Sequence, residues 1–365
     1  MFKFLITIQP LGLMYGSAGA FLSPENLVGR SGMKFPPAAA TLSGLFFSAN
    51  KSSSLVEHQE LRENLFVAGP FWAKFDHLED FYVPLPRHKV VSEDVSDEWQ
   101  MVSHRWCLKS QAALATNEET NQLEDAKKRE SEYHWLRLDY WDDEPEVIRQ
   151  DAKESSPSVS EKCWKYVSVL HPRLKKNERH VLEQDGLFLE NAVQMEEDAC
   201  LVYLSTYELP KGWYQFGGES HIVEINSIEL TDNSPILKRL RKPIKKAFAL
   251  ITPGVWGSNA LSYRYPKHQN FASDRNKIKL LTDKAVPYRY RIGYGDKHKE
   301  MFQTRNPGRL SRGRYAVPAG SVYALKEPLN QTWWDFPKEW FPEKGLLKKF
   351  GCGLCLPISI EGVED

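Results

Sequence analysis

The sequence predicts an α+β protein on three observations: short apolar runs divided by turn residues, one amphipathic helix, and one run apolar on both faces. Phe2 to Ile8 alternates as a strand. Pro36-Pro37 opens a helix in which Leu42, Leu45, Phe46 and Ala49 fall at i, i+3, i+4 and i+7, a single apolar stripe. Strand-length runs follow at Leu65 to Ala68, Phe81 to Leu85 and Trp99 to Leu108, and resume at Trp164 to Leu170 and Leu187 to Val193. CLVYLSTYEL (Cys200 to Leu209) is apolar at odd and even positions alike, the pattern of a strand covered on both sides. HIVEINSIEL (His221 to Leu230), KAFALITP (Lys246 to Pro253), GSVYALK (Gly320 to Lys326) and GLCLPI (Gly353 to Ile358) complete the strand set.

Two stretches interrupt this pattern. From Lys109 to Lys162 the chain is polar, acidic and rich in Ser, Glu and Asn, which predicts an inserted, partly helical or mobile segment whose removal spares ligand contacts. Within it WLRLDYW (Trp135 to Trp141) is too aromatic for disorder and is expected to dock on something. The stretch Gly254 to Tyr288 is basic and aromatic, like an insertion or an extended loop.

At 365 residues the chain has room for two domains or one large one. Its formal net charge of zero conceals an asymmetry. Between Lys238 and Lys326, 21 Lys and Arg face 4 Asp and Glu, a net +17; between Val91 and Ser160, 8 bases face 17 acids, a net −9. A basic half with interleaved aromatics is the footprint of a polyanion partner. The plainer alternative is solvated charge paired with the acidic segment. A secretory leader is not expected, because Gln9 and Pro10 cut the apolar run short and Lys3 alone makes a poor basic start. No run reaches membrane-spanning length. Five scattered cysteines form no disulfide framework, so a cytoplasmic address is expected.

The long loop from Gln9 to Phe35 carries Gly12, Gly16, Gly19, Gly29 and Gly32 with only two cations, Arg30 and Lys34. Glycines let backbone approach a phosphodiester closely, with Ser17 and Ser31 as further donors. It is not a nucleotide-binding P-loop: PENLVGRS has Pro24 in place of the first glycine and Arg30 in place of the lysine. A second candidate is RNPGRLSRGR, where Arg305, Arg309, Arg312 and Arg314 alternate with Gly, Pro and Ser as a flexible phosphate clamp. PAGSVY follows it, with Gly320 and Ser321 at a strand edge open to phosphate. KRLRKPIKK (Lys238 to Lys246) is basic too, though a solvated loop explains it equally well, and Gly217-Gly218 reads first as a hairpin turn.

Catalytic and metal sets are not assembled by spacing. No histidine occurs from Met1 to Ser54, so metal-free RNA cleavage would fall to Tyr15 and Lys34. His104, His171 and His180 stand without Asp, Glu or Cys at ligand spacing and are read as surface or core residues. Cys352 and Cys355 form a lone C-x-x-C without a second ligand pair, better suited to packing in a final strand than to zinc or redox work. No cofactor is expected.

Strand, glycine-bearing loop and the PP-x-x-x-T-L-S-G helix start together resemble the RAMP proteins of CRISPR systems, above all the family of the third subunit of the type III-B (Cmr) effector complex. YQFGGESHIVEI (Tyr214 to Ile225), RYAVPAGSVYAL (Arg314 to Leu325) and WWDFPKEWFPEKGLLKKFGCGLCLPI (Trp333 to Ile358) agree with it. The resemblance implies tandem ferredoxin-like, RNA-recognition-like domains with irregular insertions. These are expected at 1–195, with the polar insertion near 109–162, and at 196–365, with the basic insertion near 254–314. It implies a non-catalytic scaffold that caps the base of the complex and holds the 5′ tag of the crRNA. The large polymerase/cyclase-like subunit and a neighbouring RAMP backbone subunit would lie beside it. Two rivals remain: a RAMP-type endoribonuclease using Tyr15 and Lys34, and a protein-interaction module without RNA contact.

Overall fold

The computed structural model describes residues 1–15, 35–111, 131–154, 156–172, 175, 180–181, 187–217, 220–268, 271, 278–292 and 309–363. The first strand, β1 (Phe4–Pro10), leads to the short β2 (Met14–Tyr15); the helix Ala39–Ser53 then carries the chain to β3 (Val67–Lys74). Next come β4 (Tyr82–Pro84), β5 (Lys89–Val91), β6 (Ser96–Val102), β7 (Arg105–Leu108), β8 (Trp135–Arg137) and β9 (Val159–Ser160). A long hairpin, β10 (Trp164–Pro172) with β11 (Leu187–Met195), precedes β12 (Ala199–Ser205), β13 (Gly212–Phe216) and β14 (His221–Glu229). One antiparallel sheet has the order β13-β14-β1-β12-β3-β4-β8-β9.

Its centre, β14-β1-β12-β3, is the fourth-first-third-second order of a ferredoxin-like unit, with the helix Ala39–Ser53 crossing from the first strand to the second. The second crossover helix of that unit is replaced by β13, which pairs antiparallel to β14. Side chains of β12 alternate between two cores. Cys200, Val202 and Leu204 enter one; Leu201 and Tyr203 enter the other, with Leu42, Leu45, Phe46 and Ala49 of the helix. Both the apolar helical stripe and the doubly covered strand therefore stand as expected. The run Trp99 to Leu108 does not form one strand: Ser103 and His104 take positive φ (47° and 62°) and turn β6 back onto β7.

The second half repeats the plan. After the helix Pro235–Arg241 come β15 (Ala247–Leu250), β16 (Trp256–Gly257), β17 (Ser262–Tyr263), β18 (Ile278–Leu281), β19 (Val286–Tyr288), β20 (Arg291–Ile292), β21 (Arg309–Leu310), β22 (Arg314–Ala316), β23 (Val322–Leu325) and β24 (Cys355–Pro357). The order β24-β15-β23-β18 is again fourth-first-third-second. Short turns of helix at Trp333–Asp335, Lys338–Trp340 and Leu346–Lys349 occupy the second crossover. Tandem ferredoxin-like sheets with insertions are thus present. The expected division at 195/196 falls within the first sheet's connectivity, because β12 lies hydrogen-bonded between β1 and β3.

The two sheets share a core. Leu5, Phe71 and Val202 from the first meet Phe248, Leu250, Tyr323 and Leu356 from the second in one cluster of buried side chains. The acidic stretch contributes to it, so part of that stretch belongs to the body of the fold. β8 and β9 extend the first sheet, and Leu136, Leu138, Trp141 and Ile148 are buried. Trp141, 1% exposed, donates its indole N–H to the Pro357 carbonyl at 3.1 Å, so WLRLDYW docks on the last strand of the second sheet. Of that stretch, 112–130 and 155 lie outside the described residues.

Lys348, in the helical turn Leu346–Lys349, is buried, its Nζ donating to the carbonyls of Trp334 (2.7 Å) and Phe336 (2.6 Å). Burial lowers its pKa to about 8, well under the ordinary lysine value. The unfolded chain therefore binds more protons between about pH 8 and 10.5, and this group's contribution to stability rises with pH across that window. The stability difference between wild type and Lys348→Met, followed by urea unfolding at several pH values, is expected to grow in favour of wild type from pH 8 to 10. A pH-independent difference would contradict the assignment.

Candidate nucleic-acid interface

Both ends of the glycine-rich loop are pinned at the base of the β10–β11 hairpin. At its start Tyr15 pairs with Ala192 of β11, and its backbone N–H donates to His221 Nε2 at 3.0 Å. At its end the Phe35 ring meets Trp164 of β10 edge-on at 5.2 Å, and the Pro37 carbonyl accepts the Tyr203 hydroxyl at 2.6 Å. Gly16, Ser17, Gly19, Gly29, Arg30, Ser31, Gly32 and Lys34 lie outside the described residues, as does Arg305. A cleft of about 370 Å³ opens nearby, lined by residues that include Gln9 to Leu13 and Gln194 to Glu197. Glu196 and Asp198 bind Lys74 there at 2.7 Å each, an acidic setting unsuited to phosphate.

Tyr15 lies against two histidines that sequence spacing never associated with it. Its hydroxyl is 3.4 Å from His171 Nε2, and its ring stacks on His221 at 5.6 Å. These partners are 156 and 206 residues away along the chain, so only the fold makes them neighbours.

The arginine-rich candidate divides by depth. Arg309 lies in β21, paired in register with Ile292. Arg312 is exposed, its guanidinium 3.5 Å from the Ala260 carbonyl. Arg314 differs from the expectation: its side chain is 4% exposed and forms an ion pair with Glu343 at 2.7 Å, and Glu343 also accepts the Tyr290 hydroxyl. Its alternation partner Tyr315 points outward instead, as β22 reads buried-exposed-buried.

Gly320 and Ser321 are corrected in the same sense. Gly320 has φ +83° and packs so closely that a Cβ would lie 2.7 Å from the Leu85 carbonyl oxygen; its own carbonyl accepts the Arg87 N–H. Ser321 is fully buried, donating to the Pro318 carbonyl at 2.7 Å. The close approach that requires glycine here is protein to protein, joining the first half to the second.

The remaining cations and cysteines also sort by contact. In the run from Lys238 to Lys246, Arg239 pairs with Asp142 at 3.3 Å and Arg241 with Asp232 at 2.5 Å, so part of this charge meets acids as the plainer reading has it. Cys352 Sγ donates to Tyr288 Oη at 3.2 Å, and Cys355 is buried within β24. Burial pushes the Cys200 thiol up to about 12 and raises Cys163 and Cys355 as well, so these sulfurs are held as thiols. Among the described residues no helix is long and apolar enough to cross a membrane.

The described part of the basic half keeps its charge excess. Across 256–268, 278–292 and 309–316 the described residues carry nine Lys or Arg and one acid, Asp283, which pairs with Arg87. Apart from Arg314, whose charge meets Glu343, such an excess attracts a polyanion.

Among solved structures the chain is similar in fold to a subunit of the type III-B Cmr-beta complex bound to cognate target RNA, at 12% identity and TM-score 0.44, covering 88% of this chain and 86% of that one. It is similar to a chain of the Csm1-Csm4 cassette in complex with pppApA, at 12% identity and TM-score 0.36 over 89% and 87%. The Csm3-Csm4 subcomplex of the type III-A CRISPR-Cas interference complex gives 11% identity and TM-score 0.35 over 90% and 98%. At these scores the likenesses carry no argument about function. No curated protein matches the chain. The family model for CRISPR-associated protein Cas_Cmr3 matches residues 8–360, nearly the whole length. With both ferredoxin-like sheets in place, the chain belongs to the CRISPR-associated Cas_Cmr3 family, the RAMP-type third subunits of type III-B effectors.

Proposed function

We propose that this chain is a non-catalytic RNA-binding scaffold of a type III-B CRISPR effector, holding the 5′ tag of the crRNA at the base of the complex. The large polymerase/cyclase-like subunit and the adjoining RAMP backbone subunit are its protein neighbours in this reading, and the complex works in the cytoplasm in antiviral defence. The observation that carries the proposal is the excess of cations in the basic half of a Cas_Cmr3-family chain, nine Lys or Arg to one acid across the described residues 256–268, 278–292 and 309–316. Phosphate contacts are assigned to Arg30, Lys34, Arg305, Arg309 and Arg312, with the backbone of Gly16, Gly19, Gly29 and Gly32 and the hydroxyls of Ser17 and Ser31 beside them. Arg314, Gly320 and Ser321 support the site from within, through the buried contacts described above.

The test is binding of tag-bearing RNA against scrambled-tag RNA over a salt series, with the RNA checked on a denaturing gel. Neutralising Arg30, Lys34, Arg309 and Arg312 together is expected to lower the salt slope by about 3, since each phosphate on a single strand contributes about 0.7. An unchanged slope would sink the phosphate assignment.

A second reading rests on Tyr15 with His171 and His221, the residue types that metal-free RNA cleavage uses to take the 2′-OH proton and protonate the leaving 5′ oxygen. His221 Nε2 already accepts the Tyr15 backbone N–H, which favours a structural role for that pair. Intact RNA after prolonged incubation supports the scaffold; metal-independent fragments lost on Tyr15→Phe and His171→Ala would establish the nuclease.

A further inference from the structure

Tyr263 on β17, Tyr265 two residues after it and Tyr315 on the adjoining β22 are 42%, 36% and 61% exposed, and Leu261 beside them is 60% exposed. Exposure on this scale usually marks a loose loop, but the ribbon that carries them is anchored at both ends. Trp256, opposite Tyr263 in the β16–β17 pair, is 1% exposed, and its indole N–H donates to the buried Tyr323 hydroxyl at 3.1 Å. That hydroxyl in turn donates to the Arg264 carbonyl at 2.5 Å, between the first two tyrosines. Downstream, Phe271 is fully buried against Tyr323 and Trp340. β22 is tied alongside, its Tyr315 N–H donating to Ser262 Oγ at 3.1 Å.

The rings are therefore held out by the fold. Gly257 makes room for one of them: at φ +108°, a Cβ there would stand 2.9 Å from the Tyr263 ring and 2.3 Å from the Leu261 carbonyl oxygen. Arg264 and Arg312, both exposed, flank the tyrosines, with Arg312 reaching the Ala260 carbonyl. Rigid aromatic faces between guanidiniums fit unpaired bases, whose π faces stack while their phosphates meet the cations. A protein partner for an aromatic patch would also bury it, but the excess of Lys and Arg along the segments that carry these rings favours nucleic acid.

We infer that Tyr263, Tyr265 and Tyr315 form a base-stacking platform for single-stranded RNA, with Arg264 and Arg312 on its backbone. The inference rests on the RNA-binding reading above and adds to it the residues that grip bases. It is tested with the full chain, tag-bearing RNA and an unstructured oligouridine, each also prepared with 2-aminopurine at successive base positions. Tyr→Ala at each of the three positions is expected to weaken binding about fivefold or more and to abolish a stacking change in 2-aminopurine fluorescence, with the salt slope unchanged. Tyr→Phe is expected to retain both, and matching thermal melts show that the variants fold.

Ala variants that bind as wild type does would overturn the platform while leaving the tag-binding proposal standing. Tyrosine-dependent stacking on both RNAs without preference for the tag would support the platform and remove tag recognition. Wild-type chain that binds neither RNA would overturn both. Unchanged RNA affinity together with loss of a co-expressed large subunit would make the patch a protein interface and overturn the platform.

Discussion

Gly351→Ala is expected to cost about 3 kcal/mol of folding stability. Gly351 has φ +65°, and a Cβ there would fall 2.4 Å from the Ala68 Cβ, 2.6 Å from its Cα and 2.7 Å from the Val67 carbonyl oxygen. Two of those three atoms belong to the backbone of β3, so trimming Ala68 to glycine is not expected to rescue the variant. That contact with β3 joins the halves, and the Gly351 carbonyl is also tied within the second half, accepting the buried Thr252 hydroxyl at 2.5 Å. Gly44→Ala is the matching control. Gly44 lies within the helix Ala39–Ser53 with nothing within 4 Å of its would-be Cβ, so there alanine is expected to stabilise by roughly 0.5–1 kcal/mol. Urea unfolding of the two variants checks both signs; a Gly351→Ala midpoint equal to wild type would refute the close-packing account.

Arg314→Ala is expected to destabilise the protein by about 3 kcal/mol while leaving the salt dependence of RNA binding as it is. Removing the guanidinium strands Glu343, a carboxylate whose side chain is 22% exposed and whose second oxygen already accepts from Tyr290. Pairing the change with Glu343→Gln is expected to recover part of the loss, because no net charge then remains within the pocket. Arg312→Ala should behave oppositely, with near-wild-type stability and a salt slope lower by about 0.7. A lowered slope in Arg314→Ala at wild-type stability would return that residue to the phosphate clamp.

This contrast shows where sequence reasoning ends. Four arginines spaced by Gly, Pro and Ser look equivalent along the chain, yet the alternation of β22 sends Arg314 inward and Tyr315 outward. Gly320 likewise advertises close backbone approach, and the approach is real; its partner is Leu85, 235 positions upstream. WLRLDYW was legible as an aromatic cluster that had to dock, but its dock, the Pro357 carbonyl, comes from the far end of the chain. Tyr15 with His171 and His221 carries no local signal of any kind.

By itself the sequence determined what depends on near neighbours: the apolar stripe of the helix Ala39–Ser53, the doubly buried run of β12, the imbalance of charge between the halves, and the motifs of the RAMP family. Those features follow from periodicities of a few residues and from composition. The tertiary structure decided the rest. It placed β12 between β1 and β3, joined two sheets through one core, and separated Arg312, which faces solvent, from Arg314, which faces Glu343. Each of those outcomes turns on which distant strand lies alongside, because a β-ladder's partners are set by the packing of the whole sheet and not by the strand's own pattern.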